Sequence, residues 1–357
     1  MPTLFCVRPE TRNIGNDLIN RATSDLVRFV FGSDTVIVNI PALRGPQYGG
    51  LTAAQIYDMN RLADGVVIGG GNLFENGQLT IEPQALAALR VPLMLIGMSH
   101  GRIYDADGEL MDRTDAMAPE TLRLLARKAS VILVRDGGSR ALLDELGIGR
   151  VELGGCPSMF MAPNPLDHDP RGRVLLSIRH PSRMCVSPEL QWRIADDVRR
   201  LIAALEDAYG PNVSLVCHDY RDIEFAKAFP RTPLLYFDDA GAYVDTLRDC
   251  RLSVSYRLHA FLPCLSFGTP SIHLSYDERG KEMVATAGMG AWDVDITREP
   301  DVVAAVMSRA RNLGRYRRLR AAAQVTIAAL RATSVAGVRR FAAEIADGAP
   351  QRSALAT

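Results

Sequence analysis

Arg257 and His259 stand two residues apart, where the strand-like run Leu252 to Ser255 gives way through a turn to a helical stretch. A turn between strand and helix sets both side chains beside free backbone N–H groups at the positive end of a helix dipole, which suits a phosphate or carboxylate. An imidazole titrating near neutrality can also give and take a proton. Singly, each residue has a good structural explanation; as a pair in this turn they point to anion binding and proton transfer. Arg279 and Lys281 follow the next apolar run, Ser271 to Leu274, and Lys281 is one of three lysines among 41 basic residues. Arg179 ends a further run, Val174 to Ile178. A guanidinium grips carboxylate or phosphate through two parallel donors, so Arg179 suits a ligand that carries both.

Turns in the first half of the chain could meet the same ligand from the other side. Arg12-Asn13-Ile14-Gly15-Asn16-Asp17 precedes an apolar helical stretch from Leu18. Gly15 permits a tight turn, and Asn16 or Asp17 can cap the helix, leaving N–H groups for an anion or hydroxyl; a plain strand-to-helix turn explains the same residues. Gly69-Gly70-Gly71-Asn72 follows Val66-Val67-Ile68, at the carboxyl end where ligands approach open sheets. Its glycines clear side chains from a cleft floor, but neither a phosphate-loop Gly-Lys-Ser/Thr nor a GxGxxG spacing is present. Val134-Arg135-Asp136 reads as an internal ion pair that orders its loop, or as an arginine aimed at an anion. His100 reads as a loop or core histidine.

Elements able to position these residues alternate along the chain. Apolar runs at Val36 to Ile40, Gly65 to Ile68, Leu93 to Ile96 and Val131 to Val134 are separated by helical periods, the pattern of a parallel sheet wrapped by helices. A proline-bearing stretch, Ala162 to Pro170, divides this series from a second one at Val174 to Ile178, Val213 to Cys217, Leu234 to Phe237, Leu252 to Ser255 and Ser271 to Leu274. The expected organisation is α/β: a Rossmann-like domain over 1–165, a second over 166–300, a helical segment over 301–350 and a disordered tail over 351–357. Arginines crowd the helical segment, which predicts a solvated face or, alternatively, a basic surface that meets anionic lipid.

Bulk properties agree with this and exclude some functions. A chain of 357 residues suits two domains of about 150 residues each. Hydrophobic residues at 47% and charged residues at 23% give the balance of a globular protein. Equal numbers of basic and acidic side chains, 41 of each, create no global field toward nucleic acid. The cysteines at 6, 156, 185, 217, 250 and 264 form no CxxC pair, so neither a zinc site nor a redox dithiol is expected, and no metal. The N-terminus starts as a strand, Thr3 to Val7, without the flank of a secretory signal. Unbroken apolar runs fall short of the roughly 20 residues that span a bilayer, so a cytoplasmic location is expected.

Together these residues resemble the polysaccharide pyruvyl transferase family from Asn13 to about Met283. Ser255-Tyr256-Arg257-Leu258-His259, followed by Phe267-Gly268-Thr269-Pro270 and Ser275-Tyr276, carries most of the likeness; the Asn13 to Asp17 loop, the Gly69 to Asn72 turn and Val134-Arg135-Asp136 add to it in order. The resemblance implies two Rossmann-like domains facing across a cleft in a GT-B-like arrangement. It also implies transfer of the pyruvyl group of phosphoenolpyruvate to two hydroxyls of a sugar or glycan as a cyclic ketal with release of phosphate; free, nucleotide-linked and lipid-linked acceptors stay open, the last suggested by the basic C-terminal segment. Arg257, Leu258 and His259 would then hold the donor, Arg179, Arg279 and Arg135 would complete the anion clamp, and His259 would act as acid and then base. The first domain would take the acceptor through Gly15, Asn16, Asp17, Gly71 and Asn72. Lys281 would be a further donor contact, although it lies further from Tyr276 than the family's usual Tyr-x-x-Lys spacing, and Cys156-Pro157 stands where many relatives carry Asp-Pro. No cofactor beyond the donor itself is implied. A glycosyltransferase of the same build using a nucleotide sugar, and a non-catalytic carbohydrate-binding relative, are the alternatives.

Overall fold

The computed structural model describes residues 1–9, 12–43, 45, 48–75, 77–105, 109–164 and 172–353, with side chains to residue 348. In the first lobe the strands are β1 (Thr3–Arg8), β2 (Val36–Pro41), β3 (Gly65–Gly71), β4 (Leu93–Met98), the hairpin pair β5 (Ile103–Tyr104) and β6 (Leu110–Met111), β7 (Ala129–Val134) and β8 (Val151–Leu153). Its helices are α1 (Ile14–Phe31), α2 (Ala53–Leu62), α3 (Pro83–Ala87), α4 (Pro119–Lys128) and α5 (Gly137–Glu145). The second lobe has β9 (Val174–Ile178), β10 (Val213–Cys217), β11 (Leu234–Tyr236), β12 (Leu252–Ser255), β13 (Ser271–Ser275) and β14 (Val294–Asp295). Between and after them come α6 (Pro188–Tyr209), α7 (Ile223–Ala226), α8 (Ala240–Asp249), α9 (Leu258–Phe267), α10 (Glu278–Thr286), α11 (Val302–Ala310) and α12 (Leu313–Ser353).

Each lobe is a six-stranded parallel sheet, ordered β2-β1-β3-β4-β7-β8 in the first and β11-β10-β9-β12-β13-β14 in the second. Strands such as β3, β4, β9 and β13 are buried along their whole length, so they read as continuous apolar runs rather than alternating ones. In each sheet the order of strand addition reverses once, between β1 and β3 in the first and between β9 and β12 in the second. Helices leave opposite faces at such a switch point, and the gap outside the strand ends is where open α/β sheets bind ligands.

The lobes are closely joined. Ile14 and Leu18 of α1 bury among Leu175, Val216, Tyr243 and Phe267 of the second lobe, and the Ile14 amide donates to the His218 carbonyl at 2.9 Å. Arg102 forks onto Glu278 with donor distances of 2.7 and 3.2 Å. The first sheet ends at Leu153 and the second begins at Val174, so the crossover lies in between; the core of the expected linker, residues 165–171, is outside the described residues.

The helical C-terminus is integral to both lobes. α11 packs on the second, and α12 crosses back to bury Val335, Val338 and Phe341 against Leu4, Val67, Met94 and Leu133. Gly65 permits that approach: a Cβ there would stand 2.7 Å from the Phe341 ring. Much of the arginine richness serves the fold. Arg320 donates to the Leu265 and Ser266 carbonyls at the C-terminus of α9, where a cation meets the negative end of the dipole, and Arg309 donates to the Trp292 and Asp293 carbonyls. One helix, Leu313–Gly348, is long and apolar enough to cross a membrane, with 39% of its most apolar window buried in the fold. α12 continues past the expected tail boundary to Ser353, and residues 354–357 lie outside the described residues.

Candidate functional site

The two switch points face each other, and their strand ends line a cavity of about 100 Å³. From the first lobe come Asn13 and Asn16 after β1, Asn72 after β3 and Arg135 after β7. From the second come Arg179 after β9, His218 after β10, the turn Tyr256 to His259 after β12, and His273 with Tyr276, Asp277, Arg279 and Gly280 at β13 and beyond. Burial of both sheets in apolar side chains fixes these strand ends, so residues distant in sequence share one rim.

Four arginines converge here, and their partners distinguish them. Arg257, the N-cap residue of α9, is 9% exposed and forms an ion pair with Asp222, while its Nε reaches the Ile178 carbonyl at 3.4 Å. Arg279 pairs with Asp277 and, across the lobes, with Glu75 at 3.2 Å. Its carboxylate neighbours raise its pKa despite the opposing effect of burial. The side chain runs so close to Gly101 that a Cβ at that position would lie 2.0 Å from Cγ. Arg135 contacts its neighbour Asp136 at 3.4 Å, and Asp136 caps α5 by accepting from the Ser139 amide at 2.8 Å, so the internal-pair reading of this dipeptide holds even though Arg135 lines the cavity.

Arg179 differs. It donates to the Tyr276 hydroxyl at 3.0 Å and lies over that ring, and its Nε is buried without a hydrogen-bond partner. Among the described residues no carboxylate forms an ion pair with it. Burial chiefly lowers its pKa; Tyr276 opposes this, Arg257 and Arg279 add to the lowering, and the more weakly felt charge of Asp277 opposes it again. A guanidinium so placed is stabilised by an arriving anion.

His259 occupies the interlobe seam. A Cβ on Gly15 would lie 3.1 Å from its Nδ1, and its Nε2 is 3.8 Å from the Cys156 sulfur. The residue is half-buried but its ring is enclosed. Burial chiefly, then the charges of Arg135 and Arg257, push its pKa down to about 3, so the ring is neutral near pH 7. Burial also raises the Cys156 thiol, which therefore stays protonated at the position where the resemblance implied an acid for relatives.

Other expected residues are partly rearranged. Leu258 and Asn16 line the cavity, but the cap of α1 is Asn13, whose side chain accepts from the Gly15 amide at 3.0 Å. Asn16 and Asp17 thus sit inside the first turn rather than capping it, and Asp17 does not line the cavity. Gly15 serves by making room for His259. Gly71 adopts φ +85°, where an L side chain is disfavoured, and delivers Asn72 to the rim. Lys281 points away: its Nζ is 2.5 Å from Asp295 and 2.8 Å from the Tyr104 hydroxyl. His100 is buried, its backbone amide donating to the Ser139 hydroxyl oxygen at 2.9 Å, in keeping with a core histidine.

Sequence reasoning passed over His218 and His273. His218 directly follows the recognised strand β10, so the rule that singled out Arg179 would have found it; its Nε2 meets the Tyr243 hydroxyl at 2.8 Å. His273 lies within β13, and nothing local distinguishes it from a core residue. Among the described residues no group of three or more His, Cys, Asp or Glu could hold a metal ion.

Comparisons with known proteins agree with this architecture. The family model for polysaccharide pyruvyl transferase matches residues 13–278. No curated protein matches the sequence significantly. Among solved structures, S. aureus MnaA with UDP superposes with a TM-score of 0.54 at 13% identity, over 89% of this chain and 90% of that one. A putative UDP-N-acetylglucosamine 2-epimerase from Listeria monocytogenes gives 0.55 at 12% identity over 89% and 90%. The UDP-GlcNAc 2-epimerase of Methanocaldococcus jannaschii gives 0.52 at 11% identity over 86% and 92%. At these identities the likeness is one of fold: two facing Rossmann-like lobes.

Proposed function

The chain belongs to the polysaccharide pyruvyl transferase family, and from that membership we propose that its cleft transfers the pyruvyl group of phosphoenolpyruvate to two hydroxyls of a sugar. The observation that carries this reading is Arg179, a guanidinium at the second lobe's switch point with an unpartnered buried Nε and no paired carboxylate among the described residues. A small dianionic or trianionic ester supplies what it lacks. Arg257, held by Asp222, and Arg279, held by Asp277 and Glu75, act as fixed positive dipoles rather than free charges, and Arg135 adds its field from the first lobe. Such preorganisation favours the departing phosphate without reorganisation during reaction.

In the proposed reaction a proton adds to the methylene carbon C3 of the enol while the first hydroxyl oxygen bonds C2. The tetrahedral adduct still carries phosphate. The second hydroxyl then bonds C2, the C2–O bond to phosphate breaks, and the second hydroxyl proton leaves with phosphate. The neutral ring of His259 suits the base that relieves the attacking hydroxyl of its proton. A bound polyanion between Arg135 and Arg257 offsets the charges that depress its pKa, which makes it a better base with the donor in place. Asn13, Asn16 and Asn72 offer amide donors and acceptors to sugar hydroxyls from the opposite rim. The enol phosphate carries its own leaving group, so the proposed transfer needs neither nucleotide nor metal; the proposed location is the cytoplasm, where a lipid-linked acceptor, if that is the form used, would be met at the inner membrane face.

The UDP and UDP-GlcNAc named with the structural neighbours favour a second reading, a nucleotide-sugar enzyme. Incubation with phosphoenolpyruvate and a panel of methyl hexopyranosides separates the two. The proposal expects phosphate and an acid-labile pyruvyl ketal in equal amounts. Neither product, together with turnover of a UDP-hexose, would establish the second reading.

A further inference from the structure

His273, buried at the wall of the donor cavity, is held by a carboxylate: Asp293 Oδ1 lies 2.9 Å from its Nδ1. Asp293 is itself fixed. Its other oxygen accepts from the Ser275 hydroxyl, and its backbone carbonyl accepts from Arg309 of α11 at 2.8 Å. Gly280 makes room for the ring, since a Cβ there would stand 3.0 Å from Cε1 of His273. Phe261 packs on the other side with ring centroids 5.7 Å apart. The carboxylate therefore sets the tautomer, placing a hydrogen on Nδ1 and leaving Nε2 as the exchanging atom, and it compensates the charge the ring takes up on gaining a second proton. Among the described residues no carboxylate pairs with His259, whose Nε2 lies beside the Cys156 sulfur.

Resting on the pyruvyl-transfer reading, we propose that His273, oriented by Asp293, is the catalytic acid that delivers the proton to C3 of the bound enol ester. The two histidines of the cleft then divide the work. His259 takes the proton of the attacking hydroxyl, and His273 gives one from Nε2 to the methylene carbon as the C2–O bond to the acceptor forms. The charge gained at His259 and lost at His273 balances within the step, and a proton passes back between them through solvent before the next turnover. The pair of environments, one carboxylate-backed and one enclosed beside arginines, is the arrangement by which neighbouring titratable groups acquire opposite roles.

The test compares wild type, His273→Gln and Asp293→Asn for phosphoenolpyruvate affinity by calorimetry and for phosphate release with phosphoenolpyruvate and the methyl hexopyranosides. Loss of a general acid predicts a fall in kcat of about 100-fold or more for His273→Gln, with donor affinity within about threefold of wild type and a normal unfolding midpoint. Asp293→Asn, which keeps the ring in place but removes the charge, should fall at least about tenfold; it decides the matter if His273→Gln fails to fold or bind. Near-normal turnover in either folded, donor-binding variant overturns the role of His273 and leaves the pyruvyl-transfer reading intact. Wild-type protein that binds no phosphoenolpyruvate and releases no phosphate overturns that reading and this inference with it.

Discussion

The two rims that meet in the cleft stand on the same kind of sheet and carry opposite chemistry. At the second lobe's edge, Arg179, Arg257 and Arg279 are joined by three histidines; at the first lobe's edge, Asn13, Asn16 and Asn72 are joined by one arginine, Arg135. A doubly wound sheet provides the place, and the residue at each strand's end provides the function. On the proposed reading, charge recognition falls to one lobe and hydroxyl recognition to the other. The difference also shows that an arginine count overstates a cationic site: Arg257, Arg279 and Arg135 already have carboxylate partners, and among the described residues Arg179 has none.

Removing the imidazole at the seam should give the largest effect. His259→Ala is expected to lower phosphate release by about 1,000-fold, within the range for loss of a general base, as measured by steady-state kinetics at saturating donor. The opposite rim should respond differently. Asn72→Ala should raise the KM for the acceptor by about tenfold, the value of a hydrogen bond or two to a hydroxyl, with phosphoenolpyruvate affinity unchanged. A change in donor affinity there would erase the division between the rims.

Stability should follow the same enclosed ring. His259 titrates near 3 in the fold and near 6.5 when unfolded, so the unfolded chain binds more protons between those values. Its contribution is complete above about pH 6.5 and is lost as pH falls toward 3, at up to about 1.4 kcal/mol per pH unit. Denaturant titrations at pH 7 and pH 5 should accordingly show a smaller acid loss for His259→Gln than for wild type. The smallest effect belongs to Lys281. Lys281→Met should leave donor affinity within about twofold and cost about 1 kcal/mol or less, as expected for a part-exposed pair, because its ammonium is engaged by Asp295 and Tyr104 outside the cavity.

The strands were legible because their burial on both faces writes them as apolar runs, and the rule that ligands meet strand ends then picked out Arg179, Arg257, His259, Arg135 and Asn72. β8, at three residues, and the two-residue strands β5 and β6 were too short to stand out against loop. The pairings were not legible at all. Asp222 reaches Arg257 from 35 positions away and Glu75 reaches Arg279 from across the lobes, so which arginine stays unpaired depends on tertiary geometry. Asp293 and His273 are likewise joined only by the fold. The capping of α1 by Asn13 rather than Asn16 or Asp17 is a smaller and more local difference, since each is a competent cap and the chain's exit from β1 decides among them.

Arg179 offers the most direct test of the central claim. Calorimetric titration of phosphoenolpyruvate and, separately, UDP-GlcNAc into wild-type and Arg179→Ala protein measures whether the unpaired guanidinium is the donor's seat. We predict that wild type binds phosphoenolpyruvate in preference to UDP-GlcNAc and that Arg179→Ala weakens it about 100-fold, the scale of a lost charge-assisted contact. Equal phosphoenolpyruvate affinity in both proteins, or tight binding of UDP-GlcNAc alone, would contradict it.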